Sequence, residues 1–469
     1  MSLTDLTLAE AAEKIKRREL SPVELTKACL ARIEKYDETI KAFITVYSDE
    51  ALEIAKANET LIRSGNYLGP LHGIPMALKD NVAIANKVTT AGSKILENEV
   101  PSEDATITKC LRSSGAIFLG KLNMHEFAWG GTSDNPHYGT VRNPWNTERF
   151  AAGSSGGSGA SVAAGMCLAS IGTDTGGSIR LPSAINGLTG IRPTYGRVSN
   201  SGIIPLAWSM DTAGPMARTS EDCAIVFQSI AGHDPKDQNS ARVLVSDYLT
   251  NLRKPLKGLR IGVVPGYFFH HLQQPVHDAV KKALEVYEEL GAEIIDVDIK
   301  NIHGNISAQL TIESVEPSAY HQKWLREHPE SYGEDVRILL EMGEMLLATH
   351  YVQAQRYRTL LRNEFMEAFD KVDVFICPTL PFTATKAGAM KVVIENGVEE
   401  DMLAAIMQFT GVPSLTGLPS LNVPCGFDED GMPIGMQIIG RPFDEALLFN
   451  MGTVYQDNTE HHKQRPLLI

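Results

Sequence analysis

Hydrophobic positions near the start of the chain recur at helical spacing and predict two helical segments. Residues 7–18 and 21–64 carry apolar residues three or four positions apart, with charged residues between them. Both segments begin with a hydroxyl residue, Thr7 and Ser21, that is followed three positions later by glutamate, which is the pattern of an N-terminal capping box. We therefore expect residues 1–64 to form a helical preface that contributes no obvious chemistry.

The pattern changes from residue 69, where short apolar runs alternate with glycine and proline. Residues 259–299 are predicted to form a strand (LRIGVV), a helix (VHDAVKKALEVYEEL) and a second strand (EIIDVDI), an order that is typical of a parallel or mixed sheet. A long helical segment over 335–370, a buried strand over 372–381 and two strands within 411–440 follow. The periodicity therefore predicts a mixed α/β fold.

Composition and charge narrow the classes of function. The 469 residues are 43% hydrophobic, which is enough for a large core, and the net charge of -14 disfavours direct binding to nucleic acid. The N-terminus lacks the apolar core of a secretory signal, and no apolar run is long enough to cross a membrane. Six scattered cysteines without a CxxC pair indicate reduced thiols, so we expect a cytoplasmic protein.

One stretch, residues 153–180, concentrates glycine and serine: GSSGGSGASVAAGMCLASIGTDTGGSIR. A flexible linker is disfavoured because the middle of this run is small and apolar. A phosphate loop is disfavoured because no lysine follows the glycines and no strand is expected in ERFAA before them. The same missing strand disfavours an esterase nucleophile elbow centred on Ser155. A metal site is also disfavoured, because Trp129 breaks the HExxH pattern that begins at His125.

A serine nucleophile that works without histidine needs another base, and Lys79 is the candidate. Lys79 follows an apolar run in GIPMALKDN, and burial of an amine disfavours its charged form. The alternative, which stays open from the residues alone, is an ordinary surface pair with the aspartate beside it.

Several stretches together resemble the amidase signature family of serine hydrolases. They are GIPMALKDN, GKLNMHEFAWGG, RNPWN, the whole of 153–180, GLTGIRPTYGRVS, GLPSLNVPCG and PIGMQIIG. The resemblance extends from about residue 8 to about residue 465. It implies an α/β fold with a central mixed β-sheet that is flanked by helices on both faces. It also implies a single amidase domain over 1–469, with the preface over 1–64, the signature core over 69–220 and the remainder over 221–469.

The resemblance further implies the catalytic groups. The Ser–cis-Ser–Lys triad of the family corresponds to Ser178 as nucleophile, Ser154 as proton relay and Lys79 as base. The expected oxyanion-hole donors are the backbone N–H groups of Thr175, Gly176, Gly177 and Ser178. Supporting roles in hydrogen bonding are expected for Ser155, Asp174 and Arg180. The residues expected to border the substrate are Trp129, Gly130, Gly131 and Met407.

The implied reaction is hydrolysis of a carboxylic amide to an acid and ammonia or amine, through an acyl-enzyme and without a metal or organic cofactor. The family includes stand-alone amidases and the A subunit of glutamyl-tRNA(Gln)/aspartyl-tRNA(Asn) amidotransferase. The glutamine-binding aspartate of that protein falls on Met407, and residues 402–409 contain no acid, which favours a small apolar amide. These residues could equally be one face of a core helix.

Two further alternatives concern partners and activity. Partner subunits are expected only if the amidotransferase alternative holds, and a homodimer is expected by analogy with other family members. A catalytically inactive binding protein on the same fold is the third hypothesis, which the intact Lys79, Ser154 and Ser178 disfavour.

Overall fold

A computed structural model describes residues 2–468 and arranges them around a large β-sheet. The strands are β1 Phe43–Val46, β2 Pro75–Lys79, β3 Ile117–Leu122, β4 Arg142–Asn143, β5 Asn146–Phe150, β6 Ala169–Asp174, β7 Thr189–Arg192, β8 Thr212–Ala217, β9 Arg260–Val263, β10 Glu293–Asp296, β11 Val374–Pro378, β12 Lys391–Val393, β13 Glu399–Asp401, β14 Ser420–Phe427 and β15 Pro433–Gly440.

Helices precede, connect and follow these strands. The α-helices are α1 Leu8–Lys16, α2 Pro22–Ile40, α3 Ser48–Arg63, α4 Thr106–Ser113, α5 Gly156–Ala163, α6 Arg180–Ile185, α7 Ser220–Ile230, α8 Pro265–Phe268, α9 Gln274–Glu289, α10 Asn305–Glu327, α11 Glu334–Met345, α12 Ala348–Ala368, α13 Met402–Met407, α14 Gly411–Thr416 and α15 Glu445–Asp457. Short 3₁₀ turns lie at Leu3–Asp5, Lys94–Leu96, Glu126–Ala128, Ile302–Gly304, Pro329–Ser331 and His461–Lys463.

Eleven strands form the central sheet in the spatial order β1-β3-β2-β6-β8-β7-β14-β15-β11-β9-β10. Pairing is parallel among β3, β2 and β6 and among β11, β9 and β10, whereas the other neighbours pair antiparallel. Helices such as α5, α6, α9 and α15 pack against the interior strands, which are buried along nearly their whole length. The sheet is therefore mixed and flanked by helices, as the resemblance implies.

The helical preface begins as its sequence predicts. The Thr7 hydroxyl accepts from the backbone N–H of Glu10 at 3.1 Å, and the Glu10 carboxylate accepts from the backbone N–H of Thr7 at 2.9 Å, which completes a capping box. In the second helix only the Ser21 half of the box is formed within the described chain, with Pro22 at the first helical position.

The segment 21–64 is mostly helical, as predicted, but strand β1 divides it into α2 and α3. Lys41 adopts a left-handed conformation with φ of 58° at the end of α2, and the Asp37 carboxylate accepts hydrogen bonds from the backbone N–H groups of Ala42 and Phe43. Strand β1 then pairs with the edge of β3 before α3 begins. A local carboxylate that binds backbone donors competes with helix continuation, and apolar spacing alone does not reveal it.

The βαβ prediction over 259–299 is confirmed as β9, α9 and β10, with the two strands paired in parallel. The strands expected over 372–381 and within 411–440 are confirmed as β11, β14 and β15. The helical segment predicted over 335–370 is two helices, α11 and α12, because Leu346 and Leu347 adopt extended backbone between them.

The expectation that no strand precedes the glycine–serine run is wrong. Strand β5 ends at Phe150 and pairs with β4 in a two-stranded antiparallel ribbon. A tight turn that includes Trp145 folds β5 back onto β4. The two strands therefore pair although their largely polar sequence lacks the alternation of apolar and polar residues by which strands are recognised.

None of the helices within residues 2–468 combines the length and the apolar composition that a bilayer crossing requires. The six cysteines are free thiols, and only Cys110 is partly exposed. The cytoplasmic location, the independence from cofactors and the homodimer remain predictions.

Candidate active site

The Lys79 side chain is completely buried at the end of β2. This strand has parallel neighbours on both sides, β3 and β6, and the sequence PMALK is buried throughout. The Lys79 side-chain nitrogen Nζ donates to Ser154 Oγ at 2.7 Å and to Thr173 Oγ1 at 2.8 Å. Two hydroxyl groups therefore surround an amine that water does not reach.

Burial lowers the pKa of Lys79 to about 7, although the charges of Asp211 and Asp174 act in the opposite direction. A surface pair with the adjacent aspartate is therefore wrong for this lysine. Asp80 instead forms a buried salt bridge with Lys121, at 2.7 Å between Nζ and Oδ1. Lys79 is left with neutral partners, and near neutral pH a substantial fraction of its amine is free to accept a proton.

Ser154 lies between β5 and α5, and the peptide bond from Gly153 to Ser154 is cis, as the resemblance implies. The Ser154 carbonyl accepts from the backbone N–H of His125 at 3.0 Å and from Ser133 Oγ at 3.3 Å. A side chain on Gly153 would meet the Ser133 backbone nitrogen at 2.8 Å, so only glycine fits at that position. The hydroxyl of Ser154 is thereby held toward Lys79.

Ser178 lies in the loop between β6 and α6 and is 8% exposed. Its carbonyl accepts from the backbone N–H of Ser155 at 3.3 Å, whereas its hydroxyl makes no hydrogen bond to any residue in the described chain. Of the two contacts that the relay requires, the structure thus contains the one between Lys79 and Ser154. Contacts of this kind often tighten only when the substrate is bound.

The four backbone N–H groups from Thr175 to Ser178 make no hydrogen bond to an acceptor among residues 2–468. Gly177 has a φ of 137°, which favours glycine, and the Gly176 carbonyl is held by Thr410 Oγ1 at 2.7 Å. Successive unpaired donors beside a nucleophile are the arrangement that can stabilise a negative oxygen.

A buried ion network supports this loop. The Asp174 carboxylate accepts from Arg180 Nη2 at 2.9 Å and from Arg192 Nη1 at 3.0 Å. Burial acts to raise the pKa of Asp174, but the two guanidinium groups hold that pKa well below its usual range. Arg180 also donates to Ser414 Oγ and to Gln437 Oε1, so the loop is tied to the C-terminal part of the chain.

The Ser155 hydroxyl bridges the start of α5 to β6. It donates to the Thr173 carbonyl at 3.2 Å and accepts from the Thr173 backbone N–H at 3.3 Å. With both sides of the hydroxyl engaged and the residue fully buried, Ser155 is not arranged as an exposed esterase nucleophile, even though a strand does precede it.

Ser178 faces a narrow cleft that also contains the four residues expected to border the substrate. A cavity of about 350 Å³ with a mixed lining, polar at Thr173 and Asp211 and apolar at Ile203, Leu206 and Trp208, lies on the Thr173 side of the site. A groove of about 690 Å³ shares Trp129, Gly130, Gly131 and Leu403 with the cleft. Its wall includes the apolar side chains Ile338, Met402, Leu403 and Ile406.

Sequence reasoning missed several residues of this site. Thr173 and Arg192 stand in stretches that carry the resemblance, but nothing marked them individually. Thr410 and Glu313 come from distant helices, and Glu313 puts a buried carboxyl into the cleft. A signal for it existed: Gln309, Glu313 and Glu316 are spaced as polar residues on one face of a helix.

Comparison with known families gives the same picture. The family model described as Amidase matches residues 24–449. The chain belongs to the amidase family. It is a hydrolase that acts on amide bonds, in the group of amidase signature enzymes.

Individual members of this family are similar to the chain over its whole length. An amidase from Pseudomonas putida is 42% identical over 469 residues, which cover all of this chain and 99% of that protein. The A subunit of a glutamyl-tRNA(Gln) amidotransferase from Carboxydothermus hydrogenoformans is 39% identical over 492 residues, and both chains are covered completely.

Solved structures of family members are also similar to this chain. A crystal structure of an amidase is 32% identical with a TM-score of 0.88, covering 97% of this chain and 99% of its own. A bacterial aryl acylamidase of the amidase signature family is 28% identical with a TM-score of 0.89, covering 98% and 99%.

Proposed function

We propose that this family member hydrolyses a small, largely apolar carboxylic amide, with Ser178 as nucleophile, Ser154 as relay and Lys79 as base. The observation that carries the proposal is the 2.7 Å contact between Lys79 Nζ and Ser154 Oγ in a fully buried environment. A hydroxyl is a weak nucleophile until an adjacent base takes its proton, and a neutral lysine can do so.

In the proposed cycle, Ser178 attacks the amide carbonyl carbon while its proton passes to Ser154 and the Ser154 proton passes to Lys79. Negative charge develops on the carbonyl oxygen, and the free N–H groups from Thr175 to Ser178 stabilise it. The proton then returns through Ser154 to the leaving nitrogen, and the C–N bond breaks. Water hydrolyses the acyl-enzyme by the same proton route.

The Asp174 network has a supporting role in this proposal. Its two arginines and its carboxylate hold the ends of the loop that contains Ser178, and Ser155 holds the strand residue Thr173 against α5. Such groups keep the donors fixed before the reaction, so no reorganisation is needed as charge develops.

The shape and chemistry of the groove support an apolar acyl group. The groove that shares Trp129 and Leu403 with the cleft beside Ser178 is lined by the apolar side chains of Ile338, Met402 and Ile406, which favour a hydrocarbon substituent. Met407 lines the cleft where the amidotransferase protein is expected to have an aspartate.

The A subunit of an amidotransferase is kept as a second candidate, because a relative with that name is 39% identical over the whole chain. In that case the substrate would be glutamine and the activity would depend on partner subunits. We also propose that residues 1–469 act as one domain, which is supported by a sheet that joins strands from both halves of the chain.

The test is ammonia release by the purified chain from benzamide, phenylacetamide, hexanamide, propionamide and L-glutamine. Turnover of the apolar amides without added partners is expected, and Ser178→Ala should lower it by at least about 10⁴-fold. Ser161→Ala is the matched control, because that hydroxyl donates only to the Ser158 carbonyl within α5 and should retain most of the activity. Release from glutamine alone would favour the second candidate, and full activity of Ser178→Ala would exclude Ser178 as nucleophile.

A further inference from the structure

The cleft in front of Ser178 contains one acidic side chain that the proposed cycle does not use. Glu313, on α10, is 1% exposed and lines the cleft together with Gly176, Ser178 and Met407. Its carboxylate oxygen Oε1 accepts from Gln309 Nε2 at 3.1 Å, and no arginine, lysine or histidine of the described chain forms a salt bridge with it. Glu313 is therefore a buried acid without a salt-bridge partner in the described chain, although the more distant Arg192 favours its charged form.

The carboxyl group of Glu313 lies against the oxyanion loop. A Cβ atom placed on Gly176 would be only 2.7 Å from Glu313 Oε1, so glycine is what allows the acid to approach the backbone this closely. An unpaired carboxylate here would repel the negative oxygen that forms during attack. The acid must therefore be either protonated or paired with a cation when the oxyanion forms.

The surroundings of Glu313 disfavour its charge in the absence of such a cation. Burial raises the pKa of Glu313 to about 8, and the negative charges of Asp211 and Asp174 act in the same direction. Gln309, one helical turn earlier, leaves its own carbonyl oxygen Oε1 buried without a hydrogen-bond partner in the described chain. Of these two side chains, Glu313 is the one that lines the cleft, and the Gln309 amide behind it leaves its acceptor capacity unfilled.

We propose that Glu313 is a specificity-determining residue that binds an amino group carried by the substrate next to its scissile amide. This inference rests on the proposed function, and it refines the substrate to an α-amino amide with an apolar side chain. A hydrogen bond between an amine and this carboxyl forms whether the proton stands on nitrogen or on oxygen, and either state removes the unpaired negative charge from the oxyanion loop. The apolar groove then takes the side chain.

The position of Glu313 restricts where the amine can be. Because the carboxyl lies against the loop that would receive the carbonyl oxygen, we place the amine on the carbon next to the carbonyl, two bonds from the carbonyl carbon. In this proposal the acid that binds the amine is supplied by α10 and not by α13. The absence of acids from residues 402–409 therefore does not exclude a polar group on the substrate.

The experiment compares two amides that differ only in the amine, L-phenylalaninamide and 3-phenylpropanamide. For the full-length enzyme we expect kcat/KM to favour phenylalaninamide by about tenfold or more, and we expect Glu313→Gln to remove this preference by lowering only the phenylalaninamide value. Glutamine keeps the shape and can still accept from Gln309, so the variant should fold. Equal turnover of the two amides by the wild type, or an unchanged ratio in Glu313→Gln, would overturn the inference.

Glu316→Gln is the matched control. Glu316 is a buried acid on the same helix, but its carboxylate accepts from the backbone N–H of Ser209 at 3.0 Å and from Ser209 Oγ at 2.6 Å, away from the cleft. This variant should leave the substrate ratio unchanged. A shift equal to that of Glu313→Gln would mean that any lost charge on α10 alters the ratio, which would contradict a contact with the amine.

A binding measurement separates failure of this inference from failure of the proposed function. Calorimetric titration of Ser178→Ala with each amide, with and without Glu313→Gln, reports recognition in the absence of turnover. If the wild type releases ammonia from neither amide, the proposed substrate class is wrong, and the inference still stands or falls on whether phenylalaninamide binds more tightly and loses that advantage in Glu313→Gln.

Discussion

Two lysines lie side by side in the sheet with the same burial and different partners. Lys79 on β2 and Lys121 on β3 are both 0% exposed, and the two strands run in parallel with Leu78 opposite Lys121. Lys121 Nζ contacts Asp80 Oδ1 at 2.7 Å, whereas Lys79 Nζ contacts only hydroxyl groups in the described chain.

The two lysines distinguish the effect of burial on the pKa of an amine from the effect of a charged partner. Burial lowers the pKa of both lysines, but at Lys121 the charge of Asp80 and its hydrogen bond act against this effect. At Lys79 the nearest groups are neutral, so the amine can lose its proton without breaking an ion pair. Whether a buried lysine is a structural cation or a candidate base thus depends on whether a carboxylate lies beside its amine.

The largest expected effect comes from removing the amine of Lys79. Lys79→Met should lower kcat/KM for apolar amides by about a thousandfold or more, since the proposed proton acceptor is lost. Its free energy of unfolding should change little or rise, because an apolar chain of similar size replaces a desolvated amine. Steady-state kinetics and urea unfolding check the two parts. A variant with normal kcat/KM would remove Lys79 as the base.

Lys121→Met should produce the opposite result. It leaves the Asp80 carboxylate buried with only Thr90 as a hydrogen-bonding side chain, so we expect a loss of about 3–5 kcal/mol in the free energy of unfolding. The double variant Lys121→Met/Asp80→Asn should recover part of this loss, as measured by urea unfolding. A stable Lys121→Met protein would contradict the structural role of the pair.

The pH dependence of activity is the next test. A lysine with a pKa of about 7 is protonated below that pH and cannot accept a proton, so kcat/KM should fall about tenfold per pH unit below pH 7 and be highest between pH 7 and 8, above which ionisation of the unpaired Glu313 should lower it again. The measurement is kcat/KM for benzamide between pH 5.5 and 8. Lys121→Met, assayed at low temperature, should keep the same midpoint, and a flat profile down to pH 5.5 would disagree with a neutral Lys79.

The smallest expected effect is a shift of this midpoint. Thr173→Val removes one of the two hydroxyl acceptors of Lys79 and keeps the shape, so the charged amine loses stabilisation and the midpoint should move down by about one pH unit. Thr173→Ser retains the hydroxyl and should show the wild-type midpoint. An upward shift in Thr173→Val would be incompatible with the proposed environment.

Part of the fold and part of the candidate site could be predicted from the sequence. The strands β9, β10, β11, β14 and β15 follow from apolar runs, and the resemblance points to Lys79, Ser154 and Ser178. Burial of Lys79 could be expected from PMALK, but its hydroxyl partner Thr173 could not, because the contact depends on the pairing of β2 with β6.

Other features depend on contacts that no local pattern contains. Strand β5 exists because a turn folds it onto β4, and Glu313 reaches the cleft because α10 crosses near the loop of Ser178. The sequence argument for an apolar amide considered only residues 402–409, so it did not include the acid Glu313, which comes from another helix. Long-range assembly, and not propensity, decides these positions.

The loop of Ser178 is held by residues that are synthesised long after it. Thr410 binds the Gly176 carbonyl across 234 positions, and Gln437 binds Arg180 across 257. During synthesis, the three residues proposed as catalytic are therefore made before Thr410 and Gln437, and we expect the long-range contacts of this loop to form late in folding. The proposed catalytic residues are therefore present in the growing chain before the contacts that position them can form. For the same reason, we do not expect the segment 153–180 to be active when it is transferred alone to another protein.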